Sequence, residues 1–422
     1  MISSLQEIFQ AHLPQYLQNN RLHLRELRAA NAIVNCRTPG MGGHVVSCPE
    51  GHFSRRCHHS CGHRSCPRCA DGPRQAWLGQ QLQRLLPCDH YHAVFTLPHD
   101  FLALWSHNRQ RMTTLMFDCA RQSLLALCAD ERHLGATPGI LMSLHTWGRT
   151  LSQHPHVHCL ISGGGLDAAG QWKSCRSNYL MPVLALAALF RGKLLHHLQD
   201  DLLHKRLTCP PQQDLQHWQA CIRAQYRKHW NVQLSEPYAH GRGVALYLAR
   251  YVKGGPLPDQ RRLQHHGDNV SLSYTDHRDH QGKTLNLRAQ EFIARVLWHA
   301  PPAHQHTVRH CGLYATSARR QHQAAMQQLS PAPMPQLPPT LACLVPTNRP
   351  PNPPTCPQCN QPLQRTVSLL PAHRFGEISR DQDSSASDPL GPTFRSSGIR
   401  RRTTSQRSGG SFSRRRIRST KR

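Results

Sequence analysis

The sequence predicts an α+β protein: an N-terminal helical and metal-binding module, an antiparallel sheet with packed helices, and a disordered basic tail. Three observations lead there. Apolar residues recur at three- and four-residue spacing over 1–34, then alternate in several short runs between 91 and 166. Cysteine and histidine crowd residues 36–72, where aliphatic side chains are too few to build a core. After residue 322 the composition shifts: thirteen of the 32 prolines lie between 331 and 371, and residues 376–422 are rich in Ser and Arg.

Along the chain, Leu5, Ile8, Phe9, Leu13, Tyr16 and Leu17 form the apolar stripe of a packing helix. "RQAWLGQQLQRLL" at 74–86 is again helical. "YHAVFTL" at 91–97 alternates as a strand and stops at Pro98. Residues 101–129 read as helix, 139–147 as a strand, and "HVHCLIS" as the next strand, with Gly163–Gly165 turning the chain toward "QWKSC". Short loops between these strands imply antiparallel pairing. Residues 182–230 are mostly helical, and "GVALYLARYVKGGP" at 243–256 is a short helix closed by Gly254, Gly255 and Pro256. "NVSLSYT" and "KTLNLRA" form a hairpin, and "EFIARVLWHA" a helix. The Pro-rich stretch reads as an extended linker holding a Cys-x-x-Cys knuckle at Cys356 and Cys359.

Charge narrows the partner. The 422 residues carry a formal net charge of +28, and Arg395 to Arg422 holds 11 basic residues and no acidic one. Residues 1–330 keep 36 basic and 19 acidic residues, a net +17, so the body is basic too and suits a polyanion. The longest apolar run, 179–190, is too short to cross a bilayer, and the first ten residues are no signal peptide. Nucleic acid is therefore favoured over membrane. Without a secretory signal, 17 cysteines point to reduced thiols and metal ligands in the cytoplasm.

Two constellations carry chemistry. In "CPEGHFSRRCHHSCGHRSCPRC", Cys66 and Cys69 form one knuckle, and Cys48 with His52 can supply the facing half of a tetrahedral Zn²⁺ site. Cys61, then Cys57, are the substitutes. Arg55, Arg56, Arg64, Arg68 and Arg74 surround this segment and suit phosphate contact. The second is "LSQHPHVHCL". In a helix, His154, His156 and His158 would diverge; in a strand they share one face, while Val157, Cys159 and Ile161 point to the core. Clustered imidazoles suit a metal or phosphate site. Tyr247 and Tyr251, four apart on a short helix, project from one face among Arg242, Arg250 and Lys253. A tyrosine hydroxyl attacks a phosphodiester once a metal and basic groups lower the cost of ionising it from a pKa of ~10.

His156-Val157-His158 resembles the His-hydrophobe-His motif of the HUH single-strand endonucleases, and "YLARY" their two-tyrosine motif. With "CGHRSCPRC", "VFTLPH", "HTWGRTLSQHPHVHCLISGGGL" and "VRHCGLY", residues 10–318 resemble the rolling-circle transposases of bacterial insertion sequences, which carry an N-terminal zinc-binding domain. The resemblance implies an HUH-type sheet. It implies a structural Zn²⁺, and a catalytic Mg²⁺ or Mn²⁺ on His156 and His158. Tyr247 or Tyr251 would attack single-stranded DNA, at element ends and target, to form a 5′-phosphotyrosine link. The third metal ligand stays open, with His154 on the same face. The domains would be a helical and zinc-binding unit at 1–88, the catalytic unit at 89–321, and a linker and tail at 322–422. The resemblance also implies a bacterial, nucleoid-associated protein. A histidine-triad nucleotide hydrolase and a non-enzymatic zinc-containing DNA-binding protein are the rival readings.

Overall fold

The computed structural model describes residues 2–176, 179–238, 243, 255–257, 263–276, 279, 281–329 and 354–371. The predicted tyrosine helix, with Arg242, Tyr247, Arg250, Tyr251 and Lys253, lies outside the described residues, as do most of the linker and all of the basic tail.

After a short strand β1 (Ile2–Ser3), residues 1–34 form two helices, α1 (Leu5–Asn19) and α2 (Leu24–Asn35). Ser4 caps the Glu7 amide of α1 while the Glu7 carboxylate returns to the Ser4 amide at 2.8 Å, satisfying two of the helix's open N–H groups. Strands β2 (Gly43–Ser47) and β3 (Ser54–His58) follow, and α3 (Pro67–Arg84) begins directly at the Cys66 knuckle. Pro67 suits the first helical turn, where its missing N–H costs nothing.

The central sheet starts with β4 (His90–Thr96), then helices α4 (Leu102–His107) and α5 (Arg109–Ala129), broken at Asn108. It continues through β5 (Thr137–Trp147), β6 (Gln153–Leu166) and β7 (Trp172–Ser174), helices α6 (Val183–Leu203) and α7 (Leu215–Gln225), and β8 (Val232–Leu234). Next come β9 (Leu263–His266), β10 (Asn269–Thr275), β11 (Gly282–Arg288), helix α8 (Ala289–Leu297), β12 (Val308–Gly312) and helix α9 (Arg319–Leu329). A last strand, β13 (Gln364–Leu369), closes the described chain.

The central strands run in the order β12-β5-β6-β4-β8, with β7 beside β6, and every pairing is antiparallel, as the short loops predict. The back face, including Val157, Cys159 and Ile161, is sealed by α5 and α6. On the front face Leu141, Leu160 and Leu166 pack against Trp77, Leu78 and Leu82 of α3 and Ala325 of α9. The rest of the front face carries the histidines.

Gly163–Gly165 do not turn the chain: they continue β6 to Leu166. A Cβ on Gly165 would stand 2.3 Å from the Thr137 carbonyl oxygen and one on Gly164 2.4 Å from the Trp172 ring, so close strand pairing requires these glycines.

Two long-range arrangements cross the domain limits predicted at 88 and 322. Helices α1 and α2 share a core with β9–β11 and α8, including Phe9, Ile33, Val270 and Phe292. Strand β13 adds to β2 in a small sheet ordered β13-β2-β3. Residues 43–58 and 354–371 are thus one structural unit, although the 295 residues of 59–353 part them.

Candidate metal centres and the histidine face

Three imidazoles meet on the front of the central sheet. His156 and His158 come from β6, and His145 comes from β5, where it is the register partner of His156. One ring nitrogen from each lies within 4.8 Å of the others. The ring centroids of His145 and His158 are 4.1 Å apart, and those of His156 and His158 are 4.7 Å apart. Burial holds the His156 pKa down near 4 and those of His145 and His158 well below the usual imidazole range, with neighbouring histidines adding to the effect. All three are therefore neutral at pH 7, the state in which an imidazole nitrogen can ligate a cation. His156 Nδ1 sits 2.5 Å from the His154 carbonyl oxygen. A carbonyl oxygen only accepts, so Nδ1 carries the proton and Nε2 keeps the lone pair that a cation would need. His92 on β4 packs beside His158, with its Nε2 2.8 Å from His158 Nδ1, and holds that ring in place. Neutral imidazole nitrogens gathered in this way fit a divalent cation.

His154 shares the face with His156 and His158 but stands outside the group of three, with its ring 5.8 Å from His99. His145 is the residue that sequence reading missed. Its run, "GILMSLHTW", was legible as a strand. Only the register between β5 and β6 brings this histidine opposite His156.

The cysteines form two centres, which corrects the expectation that Cys48, His52, Cys66 and Cys69 approach one point. The first gathers Cys36, Cys61, Cys66 and Cys69 within 4.8 Å. Cys69 Sγ is 3.5 Å from Cys36 Sγ and 3.6 Å from Cys61 Sγ. These separations are far beyond the ~2.05 Å of a disulfide and close to the ~3.8 Å edge of a tetrahedron with ~2.3 Å zinc–sulfur bonds. Burial, with the neighbouring sulfurs, pushes the Cys36 thiol to about 11, so a thiolate cluster here needs a cation to balance it. Cys36 ends α2 and was missed because it lies 12 residues before the first Cys of the dense segment. The second centre holds Cys48 and His52 with Cys356 and Cys359. Cys57, the second substitute, belongs to neither group. The physical reason for the split is β2–β3: this hairpin carries Cys48 and His52 at its tip, away from the Cys66 knuckle at the other end of the segment.

The arginines divide as well. Arg64 reaches Thr307 Oγ1 at 3.0 Å and burial lowers its pKa, while Arg68 donates to Gln6 Oε1 at 2.9 Å. Both tie the zinc module to the rest of the chain. Arg55 and Arg56 on β3 are exposed.

The chain matches the family model described as "Transposase zinc-binding domain" over residues 8–97 and the one described as "Putative transposase" over 139–322. It is 32% identical over 334 residues to "Putative transposase y4qJ" of Sinorhizobium fredii, a match spanning 76% of this chain and 83% of that protein. It is also 32% identical over 326 residues to "Transposase for insertion sequence element IS801" of Pseudomonas savastanoi pv. phaseolicola, spanning 74% of this chain and 75% of that protein. Among solved structures, the metal-bound conjugative relaxase TrwC in complex with oriT DNA aligns over 59% of this chain and 96% of its own. Its identity is 11% and its TM-score 0.21, an overlap too weak to bear a structural argument.

Proposed function

The chain belongs to the insertion-sequence transposase family, with a transposase zinc-binding domain ahead of its transposase domain, and from that premise we propose that it nicks and rejoins single-stranded DNA by tyrosine transesterification, moving its element by rolling-circle transposition. The observation that carries this reading is the meeting of His145, His156 and His158 as neutral imidazoles on the front of the sheet.

These three residues would hold Mg²⁺ or Mn²⁺, which when bound supplies charge to polarise a non-bridging oxygen of the scissile phosphate. The Tyr247 or Tyr251 oxygen forms a bond to phosphorus as the bond to the 3′-oxygen breaks. The products are a 5′-phosphotyrosine link and a free 3′-hydroxyl, which takes up the proton the phenol loses. Because one phosphoester replaces another, no nucleotide triphosphate is consumed. The second tyrosine permits a second cleavage, and a 3′-hydroxyl attacking the link rejoins the strand. Arg242, Arg250 and Lys253 flank the tyrosines and would offset backbone charge. The Cys36, Cys61, Cys66 and Cys69 centre would hold structural zinc and stiffen the start of α3, which packs on the sheet's front face. Arg55 and Arg56 remain free to meet phosphates, whereas Arg64 and Arg68 act in joining the module to its neighbours. Because its substrate is the DNA of the host cell, the protein would work in the bacterial cytoplasm at the nucleoid. Among the described residues no helix is long and apolar enough to cross a membrane.

The test is incubation with a labelled single-stranded oligonucleotide carrying an element end, with Mg²⁺ or Mn²⁺. A protease-sensitive covalent adduct that maps to Tyr247 or Tyr251 is the expected result. Binding without an adduct would favour a DNA-binding protein, and turnover of dinucleotides through a phosphohistidine would favour the histidine-triad reading.

A further inference from the structure

We propose a second structural zinc site, built from Cys48 and His52 of the N-terminal module and Cys356 and Cys359 of the C-terminal segment, that clamps the two ends of the chain together. Cys48 Sγ lies 3.4 Å from Cys359 Sγ and 3.9 Å from His52 Nδ1, and all four donors fall within 4.8 Å of one another. A tetrahedral zinc with three sulfur ligands and one nitrogen ligand has donor-to-donor edges of ~3.5–3.8 Å, which these distances bracket. Sulfur atoms 3.4 Å apart are not disulfide-bonded.

The backbone is arranged for the same purpose on both sides. The Gly51 amide returns to the Cys48 carbonyl at 3.0 Å, and the Asn360 amide to the Cys356 carbonyl at 2.9 Å. Gly51 and Asn360 both adopt positive φ, 75° and 57°, so each loop closes tightly behind its ligand pair. The two knuckles meet at one end of the β2–β13 ladder, where Ser47 pairs with Gln364.

Energetics supply the reason. The sheet β13-β2-β3 has a core of only Val46, Cys48, Cys356 and Leu363, edged by Phe53, Cys57 and Cys359. So small an apolar cluster cannot hold three strands by itself, and half of the buried core is ligand. Cys48 and Cys359 are 311 positions apart, so a metal joining them closes a very long loop, the case in which a clip removes most chain entropy from the unfolded state. A Cys₃His donor set is soft and selects zinc over Mg²⁺ or Mn²⁺, so this site and the histidine face draw on different ions. Neither family match reaches beyond residue 322, and half of these ligands lie past it. The described chain leaves the small sheet at Leu369, beside Gly43 of the zinc module.

Zinc content of the full-length protein, measured by mass spectrometry of the metal, tests the clamp. The expected result is two equivalents in the wild type. Cys356→Ser with Cys359→Ser should leave one, and so should His52→Ala, which alters an exposed side chain and leaves β2 untouched. Limited proteolysis should release the C-terminal segment from the double variant and from chelated wild type, but not from the zinc-loaded protein. Two equivalents retained in both variants, or one equivalent in a wild type whose Cys359 alkylates equally fast with and without chelator, would overturn the proposal. Neither outcome bears on the adduct assay, which reads the tyrosines and the histidine face.

Discussion

His145 and His156 face each other across the β5–β6 ladder as register partners, with ring centroids 5.4 Å apart and rings nearly perpendicular. Strand pairing thereby brings a third imidazole to the His-x-His pair.

His145→Ala is accordingly expected to weaken DNA cleavage as severely as loss of His156 or His158, by at least ~100-fold at fixed metal concentration, with partial rescue by raised Mn²⁺. Oligonucleotide binding, which the basic surface supplies, should change little. A metal titration of nicking measures it; an unchanged requirement for Mg²⁺ would remove His145 from the site.

His92 acts one step further out, through His158 Nδ1. His92→Ala should raise the metal concentration needed for half-maximal nicking by ~10–100-fold while leaving the rate at saturating metal closer to wild type. A loss confined to that maximal rate would contradict a positioning role.

Tyr247→Phe and Tyr251→Phe test the two proposed nucleophiles separately. Each single variant should retain either adduct formation or the second cleavage but fail to complete strand transfer. The double variant should form no adduct on single-stranded DNA. Gel analysis of adduct and transfer products reads both steps, and an adduct in the double variant would place the nucleophile elsewhere.

Cys36→Ser should release zinc from the first centre as readily as Cys66→Ser, whereas Cys57→Ser should retain the wild-type content. The contrast tests the ligand set, because Cys57 lies among the closely spaced cysteines of 48–69 and Cys36 stands ahead of them. Zinc lost from Cys57→Ser but kept in Cys36→Ser would reverse the assignment.

Stability should fall steeply as pH drops from about 6.5 toward 4. Burial lowers the His299 pKa to about 3 and the His310 pKa to about 4, against ~6.5 in an unfolded chain. Between those limits the unfolded state binds protons that the folded state refuses, so the slope is about 1.4 kcal/mol per pH unit for each such proton. Urea unfolding at several pH values measures it. His310→Gln, which can still meet Gln81, should flatten the profile. An unchanged slope in that variant would show that His310 is not among the titrating groups.

Much of this was legible along the chain. The alternation of His156 and His158 with Val157, Cys159 and Ile161 gave a strand with a histidine front and an apolar back, and the sheet has that arrangement. The Cys66 knuckle, the hairpin β10–β11 and the helix after it could be read from spacing alone. Errors arose where a local signal has two meanings. Three glycines suggested a turn, but here they permit close strand pairing beside Trp172 and Thr137.

The sequence by itself determined most of the described elements, the polyanion preference, the presence of zinc-type ligands and the family, because periodicity, charge and motif order are properties of neighbours along the chain. Which candidate ligands gather at one point was decided by tertiary structure. Cys36 joins Cys61, Cys66 and Cys69; Cys48 and His52 join Cys356 and Cys359; His145 joins His156 and His158. Each grouping depends on a strand register or on chain segments meeting over tens to hundreds of residues. A tetrahedral or three-histidine site selects donors by position to within a few tenths of an ångström, and only the packed core sets positions that finely.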